Sequence, residues 1–224
     1  KKHNFVVLDN INLEIELDKT YALVGESGCG KSTLTRILAF IENPTKGAIY
    51  LKGKPIEEYN AEELRRKRSV VQLIMQDALS SLDPRQKIEQ LIEEPMKNLL
   101  TLSKEQRKNR VKKLLDIVEL SENILNRLPH EISGGQQKRV CIARALSVRP
   151  DLIIFDEAFS GLDVTVRMQI LNLLKKIKKE LKCSYFIVTH DLDIAMYMSK
   201  NIMVMKDGKI IESIKDLKSF KEFE

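Results

Sequence analysis

Short apolar runs alternate along this chain with longer stretches of helical spacing. Ile11, Leu13, Ile15 and Leu17 alternate with polar residues, the period-two pattern of a half-exposed strand. Asp18-Lys19 predicts a turn into Tyr21-Ala22-Leu23-Val24, an unbroken apolar run that suits a buried strand. Leu34, Ile37, Leu38 and Ile41 then recur at helical spacing. Asn43-Pro44 and Gly47 mark a turn, and residues 48–51 and 70–75 read as further strands. From about residue 86 to 127 the pattern is helical. Ile88, Leu91 and Ile92 share one face, as do Val111, Leu114, Leu115 and Val118. Strands return at Leu152-Ile153-Ile154-Phe155, Tyr185-Phe186-Ile187-Val188 and Ile202-Met203-Val204-Met205, with helical stretches between them. Asp207-Gly208 predicts a hairpin into Lys209-Ile210-Ile211. This order implies an α/β fold with a mostly parallel core sheet, right-handed crossovers and antiparallel strands at the N-terminus. Residues 1–224 read as one domain, with a helical subdomain inserted over about 86–148.

The segment after the first buried run is Gly25-Glu26-Ser27-Gly28-Cys29-Gly30-Lys31-Ser32-Thr33, which fits G-x-x-x-x-G-K-S/T. At average residue usage such a match arises by accident on the order of once in a hundred chains of this length. Strand, Gly-rich loop, helix is the setting in which this loop cradles nucleotide phosphates. Glycines let the backbone wrap the anion, and the helix N-terminus supplies free amides and partial positive charge. Lys31 is placed to reach the β- and γ-phosphates, and the Ser32 hydroxyl to bind Mg²⁺. Cys29 reads as a small filler in this loop, although a thiol beside a helix N-terminus also gains reactivity.

Leu152-Ile153-Ile154-Phe155 ends in Asp156-Glu157, so a buried strand carries two carboxylates at its C-terminal end, where open α/β sheets bind ligands. Either acid alone would be an ordinary solvated strand end. Beside a phosphate loop, Asp156 suits the Mg²⁺ shell opposite Ser32, and Glu157 suits polarising the water that attacks the γ-phosphate. Ser133-Gly134-Gly135-Gln136 precedes a helix expected over about 137–147. By itself that is an N-capped helix, but its free amides can also face an anion. Two such segments in one chain need a common explanation.

The set resembles the ATP-binding cassette (ABC) ATPases of membrane transporters. The phosphate loop, Gln76, Ser133-Gly134-Gly135-Gln136-Gln137, Asp156-Glu157, Ser160-Gly161-Leu162-Asp163 and His190 stand in that family's order, over essentially the whole chain. The resemblance implies a P-loop NTPase cassette that binds ATP and Mg²⁺ and hydrolyses ATP to ADP and phosphate. It implies that Gln76 contacts Mg²⁺ and senses transmembrane subunits. His190, within Ile187-Val188-Thr189-His190-Asp191, would hold the γ-phosphate, and Asp163 would lie in a loop crossing to a second ATPase subunit, identical or not. Each ATP would be shared head to tail, between one subunit's phosphate loop and the other's Ser133-Gly134-Gly135-Gln136. The implied partners are transmembrane permease subunits and, through them, an extracytoplasmic substrate-binding protein, with this chain on the cytoplasmic face of the membrane.

Within the family, Gln76-Asp77-Ala78-Leu79-Ser80-Ser81-Leu82-Asp83-Pro84-Arg85 and the later Glu94-Pro95 resemble the extended Gln loop of peptide and nickel importers. That implies import of nickel, metal chelates or peptides. Ile132 stands where the signature usually begins with Leu, and Met75 where Phe is common; both are apolar replacements that leave the chemistry alone. The family's adenine-stacking aromatic is expected just before Lys1, which, not being Met, suggests a trimmed start. The C-terminal extension of many peptide-import ATPases is missing after Glu224, which leans towards the nickel or metallophore branch. The alternative is a soluble ABC ATPase acting on ribosomes or DNA. Ribosome-associated relatives usually carry two cassettes and DNA-repair relatives a coiled-coil or zinc insertion, patterns that this sequence lacks.

Composition adjusts this reading little. Hydrophobic residues make up 43% and charged residues 31%, a globular balance. No run of 18 apolar residues and no signal-peptide pattern occur, so membrane spans would come from separate subunits. The net charge of +6 gathers in Arg65-Arg66-Lys67-Arg68 and Lys175-Lys176-Ile177-Lys178-Lys179. Aromatics are 5%, Trp is absent and no stacking residues interleave these runs. Solvated helix faces therefore explain them better than a nucleic-acid surface. Cys29, Cys141 and Cys183 are few and scattered, which argues against a disulfide framework, zinc or an Fe–S cluster and suits a reducing cytoplasm. Cys141 and Cys183 lie in apolar patterns and read as core fillers.

Overall fold

The structure, a computed structural model, describes residues 6–77 and 80–216. Lys1, Glu224, and Ala78 and Leu79 of the expected extended Gln loop lie outside the described residues. In chain order the strands are β1 (Thr20–Gly25), β2 (Tyr50–Leu51), β3 (Lys54–Pro55), β4 (Val71–Ile74), β5 (Leu152–Asp156), β6 (Ser184–Thr189), β7 (Asn201–Lys206) and β8 (Lys209–Ile214). The helices are α1 (Lys31–Leu38), α2 (Ala61–Lys67), α3 (Ile88–Leu99), α4 (Lys104–Ile117), α5 (Gly134–Leu146), α6 (Val164–Leu181) and α7 (Leu192–Met198). Six strands form one sheet in the order β4-β5-β6-β1-β7-β8, parallel except for β8.

Periodicity explains the centre of this sheet. The apolar runs of β5 and β6 leave both faces to be covered, and Ile153, Ile154, Phe155, Tyr185, Phe186, Ile187 and Val188 are all fully buried. Alternate residues face different layers. Ile153, Phe155, Tyr185 and Ile187 join one apolar cluster with α3, α4, α5 and α6. Ile154, Phe186 and Val188 join another with Tyr21, Leu23 and Leu34. Phe155 stacks on Phe159 at 5.4 Å and meets Tyr185 edge-on at 5.3 Å. The Tyr185 hydroxyl donates to the Leu174 carbonyl at 3.1 Å, so its polar end is satisfied inside the core.

The helical stretch resolves into α3 and α4, which bury the two predicted apolar faces against α5. The hairpin also forms as expected. Asp207 and Gly208, at φ 45° and 77°, make the left-handed two-residue turn that the twist of β7 and β8 requires.

An antiparallel pair, β2–β3, forms in the N-terminal quarter, but the opening strand expected at 11–17 does not. Residues 11–17 keep the alternation, with Ile11, Leu13 and Ile15 half-buried and Asn12, Glu14 and Glu16 exposed, but they join no ladder. Side chains satisfy this backbone instead. The Tyr21 hydroxyl accepts from Glu16 N at 3.3 Å and donates to the Glu16 carboxylate at 3.2 Å, while Ser184 Oγ donates to the Glu16 carbonyl at 3.1 Å. Among the described residues the antiparallel pairs are β2–β3 and β7–β8. Two smaller differences follow from early termination: α1 stops at Leu38, leaving Ile41 57% exposed beyond it, and the strand expected at 48–51 shrinks to Tyr50–Leu51.

Leu115 on α4 is fully buried in the larger cluster, so Leu115→Ala leaves a cavity that its neighbours cannot fill. Urea unfolding should show a loss of about 2–5 kcal/mol. Leu17→Ala, at a position 65% exposed, should stay within about 0.5 kcal/mol of the parent. Equal losses at the two positions would contradict the burial pattern.

Candidate active site

Parallel register gathers the candidate residues at one end of the sheet. Val24 lies opposite Thr189, and Asp156 opposite Val188, so Gly25, Asp156, Glu157 and His190 all emerge where β1, β5 and β6 end. Ile74 lies opposite Phe155, which brings Gln76 to the same end, exposed just beyond β4.

The phosphate loop fills the gap between β1 and α1. Gly25 has no room for a side chain, since a Cβ there would stand 2.3 Å from the Met205 carbonyl oxygen. Gly30 precedes α1 at φ 108° and offers no side-chain cap, so the amides of the first helical turn remain directed at the loop. Lys31 is 5% exposed, and its Nζ donates to the carbonyls of Gly25 at 2.8 Å and Glu26 at 2.7 Å. The loop comprising Glu26, Ser27, Gly28 and Cys29 is tied to the β7–β8 turn by a bond from Gly208 N to the Cys29 carbonyl at 3.0 Å.

Asp156 is held by two hydroxyls of α1. Ser32 Oγ donates to Oδ1 at 3.3 Å, and Thr35 Oγ1 donates to Oδ2 at 3.0 Å. Thr35 was not singled out by the sequence pattern. It is completely buried, one helical turn beyond Lys31, and that placement on the inner face of α1 was the available signal. Ser32, Asp156 and nearby Gln76 present oxygen ligands suited to a hard divalent cation such as Mg²⁺. Among the described residues no group of three or more His, Cys, Asp or Glu converges as a cage. The donor chemistry therefore fits an ion shared with phosphate oxygens.

Glu157 leaves the strand geometry. Its φ of 48° is left-handed, which costs a non-glycine residue about 1–2 kcal/mol. Its amide still donates to the Val188 carbonyl at 2.9 Å, and Ser160 Oγ braces its own carbonyl at 2.6 Å. The turned backbone carries the carboxylate between Lys31 Nζ, at 3.9 Å, and His190 Nδ1, at 3.5 Å. The imidazole is exposed. The next residue, Asp191, caps α7 and pairs with Arg167 of α6 at 3.3 Å.

The structure does not join Ser133, Gly134, Gly135, Gln136 and Asp163 to this group. They form a second cluster at the N-termini of α5 and α6. Ser133 Oγ accepts from Gln136 N at 3.3 Å while Gln136 Oε1 accepts from Ser133 N at 3.0 Å, a capping box. Asp163 caps α6 by accepting from Val166 N at 2.9 Å. Gly135 lies against that same turn, where a Cβ would stand 2.9 Å from Val166 Cγ1. Ser133, Gly134 and Asp163 are exposed, so this cluster faces outward.

Comparison with known proteins places this geometry. Residues 8–160 match the family model described as "ABC transporter". The nickel import ATP-binding protein NikE of Escherichia coli (strain K12) is 38% identical over 213 residues, which covers 95% of this chain and 80% of that protein. The dipeptide transport ATP-binding protein DppF of Haemophilus influenzae is 42% identical over 212 residues, covering 95% of this chain and 65% of that protein. Among solved structures, the dimeric post-hydrolysis state of the ATP-binding cassette MJ0796 bound to ADP and Pi superposes with a TM-score of 0.84 at 31% identity. It covers 98% of this chain and 94% of that one. With a family model matched over residues 8–160 and these relatives covering 95% of it, the chain belongs to the ABC transporter family, as an ATP-binding subunit.

Proposed function

We propose that this chain hydrolyses MgATP to power an importer of nickel, metal chelates or peptides. The observation that carries the catalytic assignment is the convergence of Lys31, Asp156, Glu157 and His190 at one sheet end. The cargo classes follow the names of the relatives, a nickel and a dipeptide importer subunit.

In this reading the amides of Gly25, Glu26, Ser27, Gly28, Cys29, Gly30, Lys31, Ser32 and Thr33 surround the phosphates, and Lys31 Nζ bonds the β- and γ-phosphate oxygens. Ser32, Asp156 and Gln76 hold Mg²⁺, with Thr35 fixing the Asp156 rotamer. When bound, Mg²⁺ neutralises developing charge on the phosphate oxygens. Glu157 orients and polarises the attacking water, and His190 donates to the γ-phosphate. The helix start at Ser133, Gly134, Gly135 and Gln136, with the Gly134 and Gly135 amides outside the capping box, receives the ATP of a second ATPase subunit, and Asp163 lies in the loop that crosses to it. The dimeric form of the related MJ0796 cassette supports this arrangement. Residues 86–148 act as a helical subdomain that, with Gln76, meets transmembrane permease subunits at the cytoplasmic face, downstream of an extracytoplasmic binding protein. No helix among the described residues is long and apolar enough to cross a membrane.

Glu157→Gln should bind MgATP normally yet lose turnover by about 100-fold or more, because the amide keeps the shape but is no base. Steady-state ATPase activity within a few-fold of the parent would remove Glu157 from the catalytic role. Lys31→Ala should instead weaken nucleotide binding itself, measured by fluorescent-nucleotide titration.

Sharing of the site is tested by mixing Lys31→Ala with Ser133→Arg. A mixed dimer pairs two damaged halves in one site and two intact halves in the other, so partial recovery of ATPase activity is expected. No recovery from demonstrated mixed dimers would contradict the shared site.

Cys29, Cys141 and Cys183 should differ sharply. Burial pushes the Cys141 thiol up, and pushes Cys183 up to about 12, so both should resist alkylation. Cys29, half-buried in the phosphate loop, should react first in brief maleimide treatment read by mass spectrometry, and saturating MgATP should slow it. Equal labelling of Cys29 with and without nucleotide would count against nucleotide seated on this loop.

A further inference from the structure

The helix that begins at Ser133 also grips the segment that follows β4. Lys138, Cys141 and Arg144 stand at i, i+3 and i+6 on α5, which puts them on one stripe. Lys138 is only 2% exposed, and its Nζ donates to two consecutive carbonyls, Met75 at 3.2 Å and Gln76 at 2.9 Å. One turn on, Cys141 Sγ lies 3.4 Å from Ser81 Oγ. Arg144 completes the row, donating to the Ser81 carbonyl at 2.7 Å and pairing with Glu94 of α3 at 2.8 Å.

Burying a lysine is costly, and an apolar residue of the same length would fill the space without that cost. Here the ammonium is spent on backbone carbonyls. Such bonds fix the path of the bound segment rather than recognise its side chains. The path fixed is that of Gln76, at the sheet end beside Asp156. Lys138 lies five positions after Ser133, about 7.5 Å along a single helix. A rigid rod therefore joins the outward-facing amides at one end to the Gln76 backbone.

We propose that Lys138 is a positioning residue for Gln76: its two bonds hold the Gln76 backbone at the sheet end where the ion would sit. The inference rests on the ATPase reading given above.

The full chain carrying Lys138→Met tests this, since Met keeps the length and loses the donors. Turnover should fall about tenfold, the cost of one strong hydrogen bond, while ATP affinity stays within about twofold. The Mg²⁺ concentration for half-maximal turnover should rise several-fold. Amide exchange should quicken in 71–77 and 80–86 and remain unchanged in α4 and β6. Lys138→Gln, which restores N–H donors without charge, should recover most of the turnover. In a Gln76→Ala background, Lys138→Met should cost little more, because its effect runs through Gln76.

Parent-like turnover and Mg²⁺ dependence in Lys138→Met would overturn the proposal. So would exchange that quickens throughout α3, α4 and α5, or additive losses with Gln76→Ala. Should Lys138→Met fail to fold, Lys138→Gln decides the matter: most of the turnover should remain, and losses that add to those of Gln76→Ala refute the proposal. The parent chain separates the two claims. If it does not hydrolyse MgATP, the ATPase reading fails; if it does while Lys138→Met is parent-like, only the clasp fails.

Discussion

The parallel pairing of β6 between β5 and β1 is the constraint on which the site depends. Each of the three strands contributes a residue at its C-terminal end, and the register sets those residues side by side. The pairing itself is enforced by burial, because β6 is buried along its whole length. A one-residue slip would exchange the two faces, turning Phe186 and Val188 into the helical layer and Ile187 out of it. The same slip would displace His190 from Glu157. Packing of side chains that touch no ligand therefore sets the geometry of those that do.

Local costs at the site are met by that core. Glu157 holds a left-handed backbone, and Lys31 and Lys138 hold nearly buried ammonium groups. Each is braced in a specific way: Glu157 by Ser160 and Val188, each lysine by two backbone carbonyls. Apolar clusters above and below the sheet supply the stability against which such costs can be carried.

Residues with a strong local signal were legible in the sequence, and residues defined by tertiary contact were not. The buried strands, the α3 and α4 faces and the Asp207-Gly208 turn each follow from periodicity or turn chemistry over a few residues. The alternation at 11–17 was also read correctly as half-burial, but burial does not reveal whether a ladder partner exists. There, Tyr21 and Ser184 occupy the groups that a neighbouring strand would have used. Thr35 is a polar residue beside Leu34 on the buried face of α1, and its meaning comes from Asp156, which lies 121 positions away. Lys138 stands between Gln137 and Arg139, where a solvated helix face is the natural reading. Only the fold shows that it points inward.

Charge balance explains why one chain's site looks unfinished. At the phosphate end of the sheet the nearly buried Lys31 lies 3.9 Å from Glu157, and a second carboxylate, Asp156, ends β5. A polyphosphate brought to that end adds further negative charge in a partly desolvated place, where repulsion is strengthened. The amides at the start of α1 offset part of it, and a divalent cation on Ser32 and Asp156 offsets more. Ser133, Gly134 and Asp163 lie exposed at the starts of α5 and α6, in a cluster separate from the Lys31, Asp156, Glu157 and His190 group. The start of α5 carries the positive end of a second helix. In the proposed head-to-tail pair each such helix start would meet the other's phosphates and offset part of that repulsion.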